Sequence, residues 1–317
     1  MTELGGRTIR IATRGSRLAL WQAHAVAERL RASGVATETL TFTTTGDRSQ
    51  HGPIAGDDSK RQFVKELEDA LLRGDADLAV HSAKDLPVDL PDGLAIAACL
   101  PREDPRDALV LPGTPAPMAA ADAFAHLGAG ATIGTGSVRR GAQLRPLLPD
   151  AVFRPVRGNV DTRLAKLDSG GFEALVLACA GLRRLGFGSR ITAAIPLEQC
   201  VPAPGQGIVA TEIRSDDASV RTVLEALHDR AAGRALSAER ALVSALGGGC
   251  QLPLGAIAEE RNGTLYLMAV VASVDGARRI AKSASGSPAD PTGLGRQLAE
   301  VLAANGARAL LDEVGSP

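Results

Sequence analysis

Four groups of residues in this chain carry side chains able to do chemistry. The segment GGGCQLPLG, Gly247 to Gly255, sets one thiol, Cys250, behind three glycines. Glycine loses the most backbone freedom on folding, so three together mark a loop that turns tightly or lets something bulky approach. Cys250 is open to several uses: a small buried hydrophobe, a metal ligand, half of a disulfide, a nucleophile or an attachment point. No His lies near it in the sequence to act as a base, and a nucleophile would want one. Covalent attachment of a cofactor fits the glycines better, because they leave room for an adduct beside the backbone.

The second group is VHSAKDLP, Val80 to Pro87, where Lys84 and Asp85 fall at the carboxyl end of a buried strand. They read either as an ordinary strand-to-turn ion pair or as a carboxylate held in a cleft. A cleft carboxylate would serve a reaction that passes through a cation, since opposite charges ~4 Å apart attract by about 4 kcal/mol at an effective dielectric near 20. His81 reads as a polar core residue sooner than as a catalytic base. The third group is a set of arginines. Arg139 and Arg140 stand in the first turn of a helix behind GTGS, where a cation opposes the helix dipole unless an anion sits there too. Arg157 and Arg163 flank GNVDT, and Arg183 and Arg184 follow the next strand. Ligands of open α/β sheets sit at the carboxyl ends of the strands, so three such junctions in succession suggest a polyanionic ligand. Solvated surface Arg and a coding bias are the plainer alternatives. The fourth is an echo: IATRGS, Ile11 to Ser16, and IGTGS, Ile133 to Ser137, each run from a strand to a Ser that starts a helix. Helix N-termini attract anions. A dinucleotide fingerprint is excluded, because its third Gly would fall at Arg139.

Composition limits what these groups can serve. At 317 residues and 45% apolar the chain has length and hydrophobic content for two or three domains with cores of their own. A formal net charge of −1 lacks the basic excess of a nucleic-acid binder. Of 35 basic residues five are Lys (Lys60, Lys65, Lys84, Lys166, Lys282) and the remainder Arg, the side chain suited to planar recognition of carboxylate or phosphate. The cysteines, Cys99, Cys179, Cys200 and Cys250, are far apart with no CxxC, which predicts no structural metal. The N-terminus shows no signal peptide and no apolar run is long enough to span a membrane. The expectation is a cytoplasmic protein with reduced thiols and no membrane or nucleic-acid partner.

The elements that must position these groups alternate. TIRIAT predicts a strand and SRLALWQAHAVAERLRASG a helix with Ser16 as N-cap and Gly34 at its end. TETLTFTTTG reads as a strand, FVKELEDALLRG as a helix stopped by Gly74, and DLAVHSA and GLAIAACL as buried strands. Such βαβ patterning favours a mostly parallel sheet. Residues 46–62 are polar and aperiodic, long enough to suggest a lid. A second α/β series follows the Pro-rich segment near residue 105. After about residue 225 come a helix, the Cys250 loop, three antiparallel strands and one long closing helix from about Pro291.

Taken in order, RIATRGSRLALWQA, FVKELEDALL, AVHSAKDLPVDLPDGL, REDPRDALV, GTGSVRR, RGNVDTRLAKLDSG, AGLRRLG, PAPGQG and GGGCQLPLGA resemble the signature segments of the porphobilinogen deaminase (hydroxymethylbilane synthase) family across nearly the whole chain. The resemblance implies an α/β fold of two periplasmic-binding-protein-like lobes plus a small C-terminal α+β domain. Its domains would be residues 1–104 with 201–225, residues 105–200, and residues 226–317, with the cleft between the first two. It implies a dipyrromethane cofactor joined by a thioether to Cys250, on which four porphobilinogen units are polymerised with loss of ammonia before hydroxymethylbilane is released. Asp85 matches the family's catalytic aspartate, which stabilises the cation left by ammonia. Lys84, Ser137, Arg139 and Arg140 match cofactor-binding positions. Arg14, Ser16, Lys60, Arg157, Arg163, Arg184 and Gln206 match substrate-binding ones. The resemblance also implies a monomer that uses no metal. Two departures stand out. The lid reads DDSKRQFVKE where a glycine-rich GGKG is usual, so Asp57 and Asp58 bring negative charge near an anionic substrate. Gly136 replaces a common Ser. A diverged paralogue without turnover, or a two-lobed anion-binding module, is the alternative.

Overall fold

The computed structural model describes residues 7–45, 61–247 and 252–315, which form two compact units: Met1–Arg102 with Ile208–Arg234, and Glu103–Gly207 with Ala235–Pro317. Cys250, Lys60, Asp57, Asp58 and most of the expected lid lie outside the described residues.

The first unit is one five-stranded sheet with helices on both faces. Its strands are β1 (Ile9–Arg14), β2 (Thr37–Phe42), β3 (Leu78–Ser82), β4 (Leu94–Cys99) and a late strand, Val209–Arg214, in the order β2, β1, β3, Val209–Arg214, β4. Helix α1 (Arg17–Ala32) begins where the Ser16 hydroxyl accepts from the Ala19 N–H at 3.3 Å. It buries Val26 and Leu30 against Ile9, Ile11, Leu78 and Val80. Helix α2 (Arg61–Arg73) covers the other face, packing Leu67, Ala70 and Leu71 against Ala12, Ala79 and Leu94. It stops at Gly74, whose φ of +75° is a left-handed conformation that glycine adopts without cost.

The second unit holds two sheets. One is formed by β5 (Asp107–Val110), β6 (Thr132–Gly134), β7 (Val152–Arg154), β8 (Ala174–Ala178) and β9 (Ala193–Ala194), in the order β7-β6-β8-β5-β9. Helices α3 (Ala120–Ala125) and α4 (Val138–Leu144) lie on one face, with Ala123 and Leu144 against Ile133 and Val176. Helices α5 (Val160–Asp168) and α6 (Cys179–Arg184) lie on the other, with Leu164, Leu167 and Leu182 against Leu175 and Leu177. The late strand of the first unit is β10, followed by α7 (Ala218–Glu225) and α8 (Arg230–Ala245), which carries the chain into the second unit. There β11 (Leu254–Arg261), β12 (Thr264–Ala272) and β13 (Arg279–Gly286) form an antiparallel sheet, and α9 (Pro291–Ala304) packs on it.

Each larger sheet is mostly parallel, as expected, with four strands running one way and one reversed. β1 pairs in parallel with β2 and β3, but β10 runs antiparallel to β3 and β4. Likewise β6 is parallel to β7 and β8, while β5 is antiparallel to β8 and β9. Strands fed by a crossover helix must run parallel to their predecessor. β5 and β10 are instead entered straight from the other unit, so that rule does not bind them. One expectation is corrected: the single closing helix is two, α9 and α10 (Ala307–Gly315), broken at Gly306 with φ +92°.

The ends of the Cys250 loop are fixed by their surroundings. Gly247, at φ +73°, ends α8. At Gly255 an added Cβ would lie 2.4 Å from the Val201 carbonyl oxygen, so only glycine allows β11 this close to the 201–207 segment. The buried Glu239 of α8 clasps both: its Oε2 accepts from the Gly205 N–H at 2.6 Å and its Oε1 from the Ala258 N–H at 2.7 Å.

Candidate functional site

In the first unit the candidate residues fall at one edge. β1 and β3 are parallel neighbours, so Arg14 and Ser16, after β1, and Lys84 and Asp85, after β3, leave the sheet at the same carboxyl edge. Ala83–Asp85 form a single 3₁₀ turn directly beyond β3. Asp85 is half-buried, and among the described residues no hydrogen bond or ion pair ties down its carboxylate. Arg14, Ser16 and Lys84 are half-buried as well. His81 is a core residue: it is 5% exposed and its Nε2 stands 3.1 Å from Oε2 of the fully buried Glu212.

In the second unit the parallel strands β7, β6 and β8 likewise share a carboxyl edge. Ser137 caps α4, its hydroxyl accepting from the Arg140 N–H at 3.4 Å. Arg139 and Arg140 follow in the first turn, and both are buried. The anion they meet is Asp107, which opens β5 opposite the end of β8 and is fully buried. Arg139 Nη1 lies 2.8 Å from Asp107 Oδ2, and Arg140 Nη2 lies 2.7 Å from Oδ1. Arg139 also donates to the Val201 carbonyl at 2.7 Å, and Arg140 to the Val176 carbonyl at 3.0 Å. Gln206, 1% exposed, donates from Nε2 to Asp107 Oδ1 at 2.9 Å and to the Pro105 carbonyl at 2.7 Å. The arrangement brings Arg139, Arg140 and Gln206 together around a residue that sequence reasoning passed over, with Ser137 capping the helix that carries the two arginines. Its signal was present: in DALV a charged residue opens an otherwise apolar buried strand, and buried charges are paired.

Charge at this cluster does not balance. Burial alone would push the Asp107 carboxyl up, but Arg139 and Arg140 outweigh it and hold the group well below the usual carboxylate range. Cys200, 3.4 Å from Asp107 Oδ2, is neutral, because burial pushes its thiol up to about 12. Two guanidinium groups therefore face one carboxylate, leaving one positive charge in excess. Arg139 Nε is buried with no acceptor among the described residues.

The other arginines are less enclosed. Arg163 is half-buried and donates from Nε to the Gly158 carbonyl at 2.7 Å, while Arg157 is exposed. Arg184 is half-buried, donates to the Gly207 carbonyl at 2.7 Å, and has its pKa lowered by desolvation to about 10. Arg183 is exposed and pairs with Asp104 at 3.1 Å. At Gly136 an added Cβ would stand 3.1 Å from the Val156 carbonyl oxygen and 4.0 Å from the Arg163 guanidinium. A side chain at this position would need the Val156 carbonyl to give by a few tenths of an ångström. The three described cysteines are all buried, and burial also pushes Cys179 up to about 12, so neither it nor Cys200 is a reactive thiolate.

Comparison with known proteins gives two family matches. Residues 9–222 match the model of the porphobilinogen deaminase dipyromethane cofactor binding domain, and residues 234–304 match that of the porphobilinogen deaminase C-terminal domain. Among solved structures, the periplasmic VFT2 domain of Bordetella pertussis BvgS is 20% identical over 68% of this chain and 85% of that one, with a TM-score of 0.40. Substrate binding domain 2 of Lactococcus lactis GlnP is 11% identical over 78% and 94%, with a TM-score of 0.44. A putative methionine-binding lipoprotein of Bacillus subtilis is 14% identical over 71% and 92%, with a TM-score of 0.40.

Proposed function

The chain belongs to the porphobilinogen deaminase family, and on that premise we propose how its residues divide the work. It is a transferase of tetrapyrrole biosynthesis that joins four porphobilinogen units into hydroxymethylbilane, releasing ammonia, with a dipyrromethane cofactor. Each pyrrole of that cofactor carries carboxylates. The Asp107 cluster suits such a group, because it holds one buried positive charge in excess and the unsatisfied Nε of Arg139. Ser137, Arg139, Arg140 and Lys84 are the residues we assign to hold it, with the thioether at Cys250. When bound, it would supply the free pyrrole α-carbon to which the first unit is joined.

Asp85 is the catalytic group in this reading. When porphobilinogen loses ammonia it becomes a cation, and a carboxylate ~4 Å away stabilises that charge by about 4 kcal/mol at an effective dielectric near 20. Asp85 suits this work because it is half-buried and unengaged. A carboxylate already locked to an arginine, as Asp107 is, would have its field cancelled. Arg14, Ser16, Arg157, Arg163, Arg184, Gln206 and Lys60 bind the substrate's acetate and propionate groups. Desolvation of Arg184, which lowers its pKa to about 10, favours an anionic ligand beside it. Gln206 would act through Asp107, since its amide nitrogen is already committed there. We further propose a cytoplasmic monomer that needs no metal. No helix among the described residues is long and apolar enough to cross a membrane.

The observation that carries this assignment is the dry excess of positive charge at Asp107. Intact mass of the protein purified from a haem-making cell tests it together with the attachment point. An adduct of two pyrrole units is expected, and it should vanish in Cys250→Ser. An unmodified parent would favour the paralogue or the anion-binding module instead. Asp85→Asn should keep the circular dichroism of the parent and the adduct while lowering turnover by roughly 10³, the equivalent of about 4 kcal/mol. Turnover at the parental rate would remove the cation-stabilising role.

A further inference from the structure

Away from these residues, the second unit has an open groove of about 470 Å³ lined by Arg145, Ser273, Val274, Asp275, Arg278, Leu310 and Glu313. Its walls come from three elements: the 3₁₀ turn that continues α4, the 273–278 turn between β12 and β13, and helix α10.

The groove is already formed. Ser273 and Arg278 close the turn, with the Ser273 N–H donating to the Arg278 carbonyl at 2.9 Å and the Arg278 N–H donating to Ser273 Oγ at 3.0 Å. Gly276, at φ +79°, presses the turn against α4: a Cβ there would lie 2.7 Å from the Ala142 carbonyl oxygen and 3.0 Å from Pro146 Cδ. Leu310 is 4% exposed and forms part of the floor, whereas Val274 is 46% exposed at the rim.

Its charges are unevenly used. Asp275 accepts from the Ser273 hydroxyl and from the Ala277 N–H at 3.0 Å. Glu313 is paired with Arg278. Arg145 differs from both. Its guanidinium lies over the Phe153 ring, 5.3 Å from the centroid, and its buried Nε has no acceptor among the described residues. Stacking on an aromatic face holds a guanidinium in one plane with its donors in a fixed fork, the geometry that grips a carboxylate bidentately. A ligand with two negative charges would meet repulsion from Asp275 and Glu313 in the same groove. A single carboxylate on an apolar body would place its charge on Arg145 and its carbon on Leu310 and Val274.

We propose that this groove is a binding site for a small organic monocarboxylate, anchored by Arg145. The site is separate from the residues assigned to cofactor and substrate. It touches α4 at the end opposite Arg139 and Arg140, so occupancy leaves those arginines uncovered.

Calorimetric titration of the cofactor-loaded protein with 3-phenylpropionate tests the proposal, with 3-phenylpropanol and inorganic phosphate as parallel titrants. Saturable binding of the carboxylate is expected, with the alcohol and phosphate at least tenfold weaker. Arg145→Gln should weaken 3-phenylpropionate at least tenfold. Val274→Trp, which keeps Arg145 and fills the groove from its exposed rim, should do the same, so the test survives if one variant fails to fold. No saturable binding by the parent, or equal affinity in a folded variant, would overturn the site. Phosphate binding as tight as the carboxylate would overturn the ligand class.

Discussion

Asp77 and Asp107 are both fully buried carboxylates that draw more than one arginine, and they stand at opposite kinds of sheet edge. Asp77 precedes β3, at the amino edge. It accepts from the Arg10 N–H at 2.8 Å and from the Arg10 side chain at 3.1 Å, and it pairs with Arg7. Asp107 lies at the carboxyl edge of its sheet, with Arg139 and Arg140. Both carboxyls are held below their ordinary range against the opposing effect of burial. They differ in where the surplus positive charge goes. The side chains of Arg7 and Arg10 are 42% and 36% exposed, so water solvates their charge, and a second carboxylate, Asp217, stands 3.9 Å from Arg7. Those of Arg139 and Arg140 are 4% and 7% exposed. The first cluster is complete as it stands and acts as a clasp. The second keeps its surplus positive charge away from water.

Removing each carboxylate should break the comparison most sharply. In a Cys250→Ser background, where no cofactor confounds the reading, Asp107→Asn leaves two guanidinium groups buried without a counter-charge and should cost about 3–5 kcal/mol. Asp77→Asn leaves arginines that water can solvate and should cost about 1–3 kcal/mol. Urea unfolding measures both, and equal losses would erase the distinction. Next in size is the surplus itself. Arg139→Met leaves Asp107 paired with Arg140 and the Val201 carbonyl still bonded by the Gln143 amide, so in the same background stability should change by no more than about 1 kcal/mol. In the parent background that variant should fail to carry the two-pyrrole adduct by intact mass, whereas Arg10→Met should carry it fully. Full loading of Arg139→Met would mean that the surplus charge serves the fold alone.

The smallest effect is in pH. Both carboxyls are depressed in the fold, so their contribution is complete above about pH 4, the unfolded value, and is lost as pH falls through the folded values. Each should remove stability at up to about 1.4 kcal/mol per pH unit in that window. Urea midpoints measured from pH 7 down to pH 3 should fall less steeply below pH 4 in Asp107→Asn than in its background. An unchanged slope would mean that Asp107 is not ionised in the fold.

Much of this was legible without coordinates, for local reasons. Ser16 and Ser137 cap the helices that their spacing announced. Gly74 ends its helix in the left-handed conformation that few other residues tolerate. The Arg-bearing segments follow strand ends because a strand's last residues and a helix's first turn are contiguous in sequence. What escaped is non-local. Asp107 is far in sequence from Arg139 and Arg140, and no periodicity links them. Glu239 holds Gly205 and Ala258 from a helix whose own pattern gives no sign of it. The reversed directions of β5 and β10 follow from chain crossings between units, which leave only a Pro-rich signature. The break at Gly306 was hidden because one glycine in a helical pattern is commonly tolerated.

The amino-acid sequence alone therefore determined the family, the strand and helix content, and the identity of the chemical groups: a thiol in a glycine loop, a carboxylate beyond a strand, arginines at successive junctions. These depend on residue type and near-neighbour spacing, which folding does not alter. Only the tertiary structure decided which arginines are dry and which are wet, and that Arg139, Arg140 and Gln206 converge on Asp107. Desolvation belongs to an environment assembled from distant segments, and it turns the same Arg–Asp contact into a clasp at Asp77 and a dry surplus of charge at Asp107.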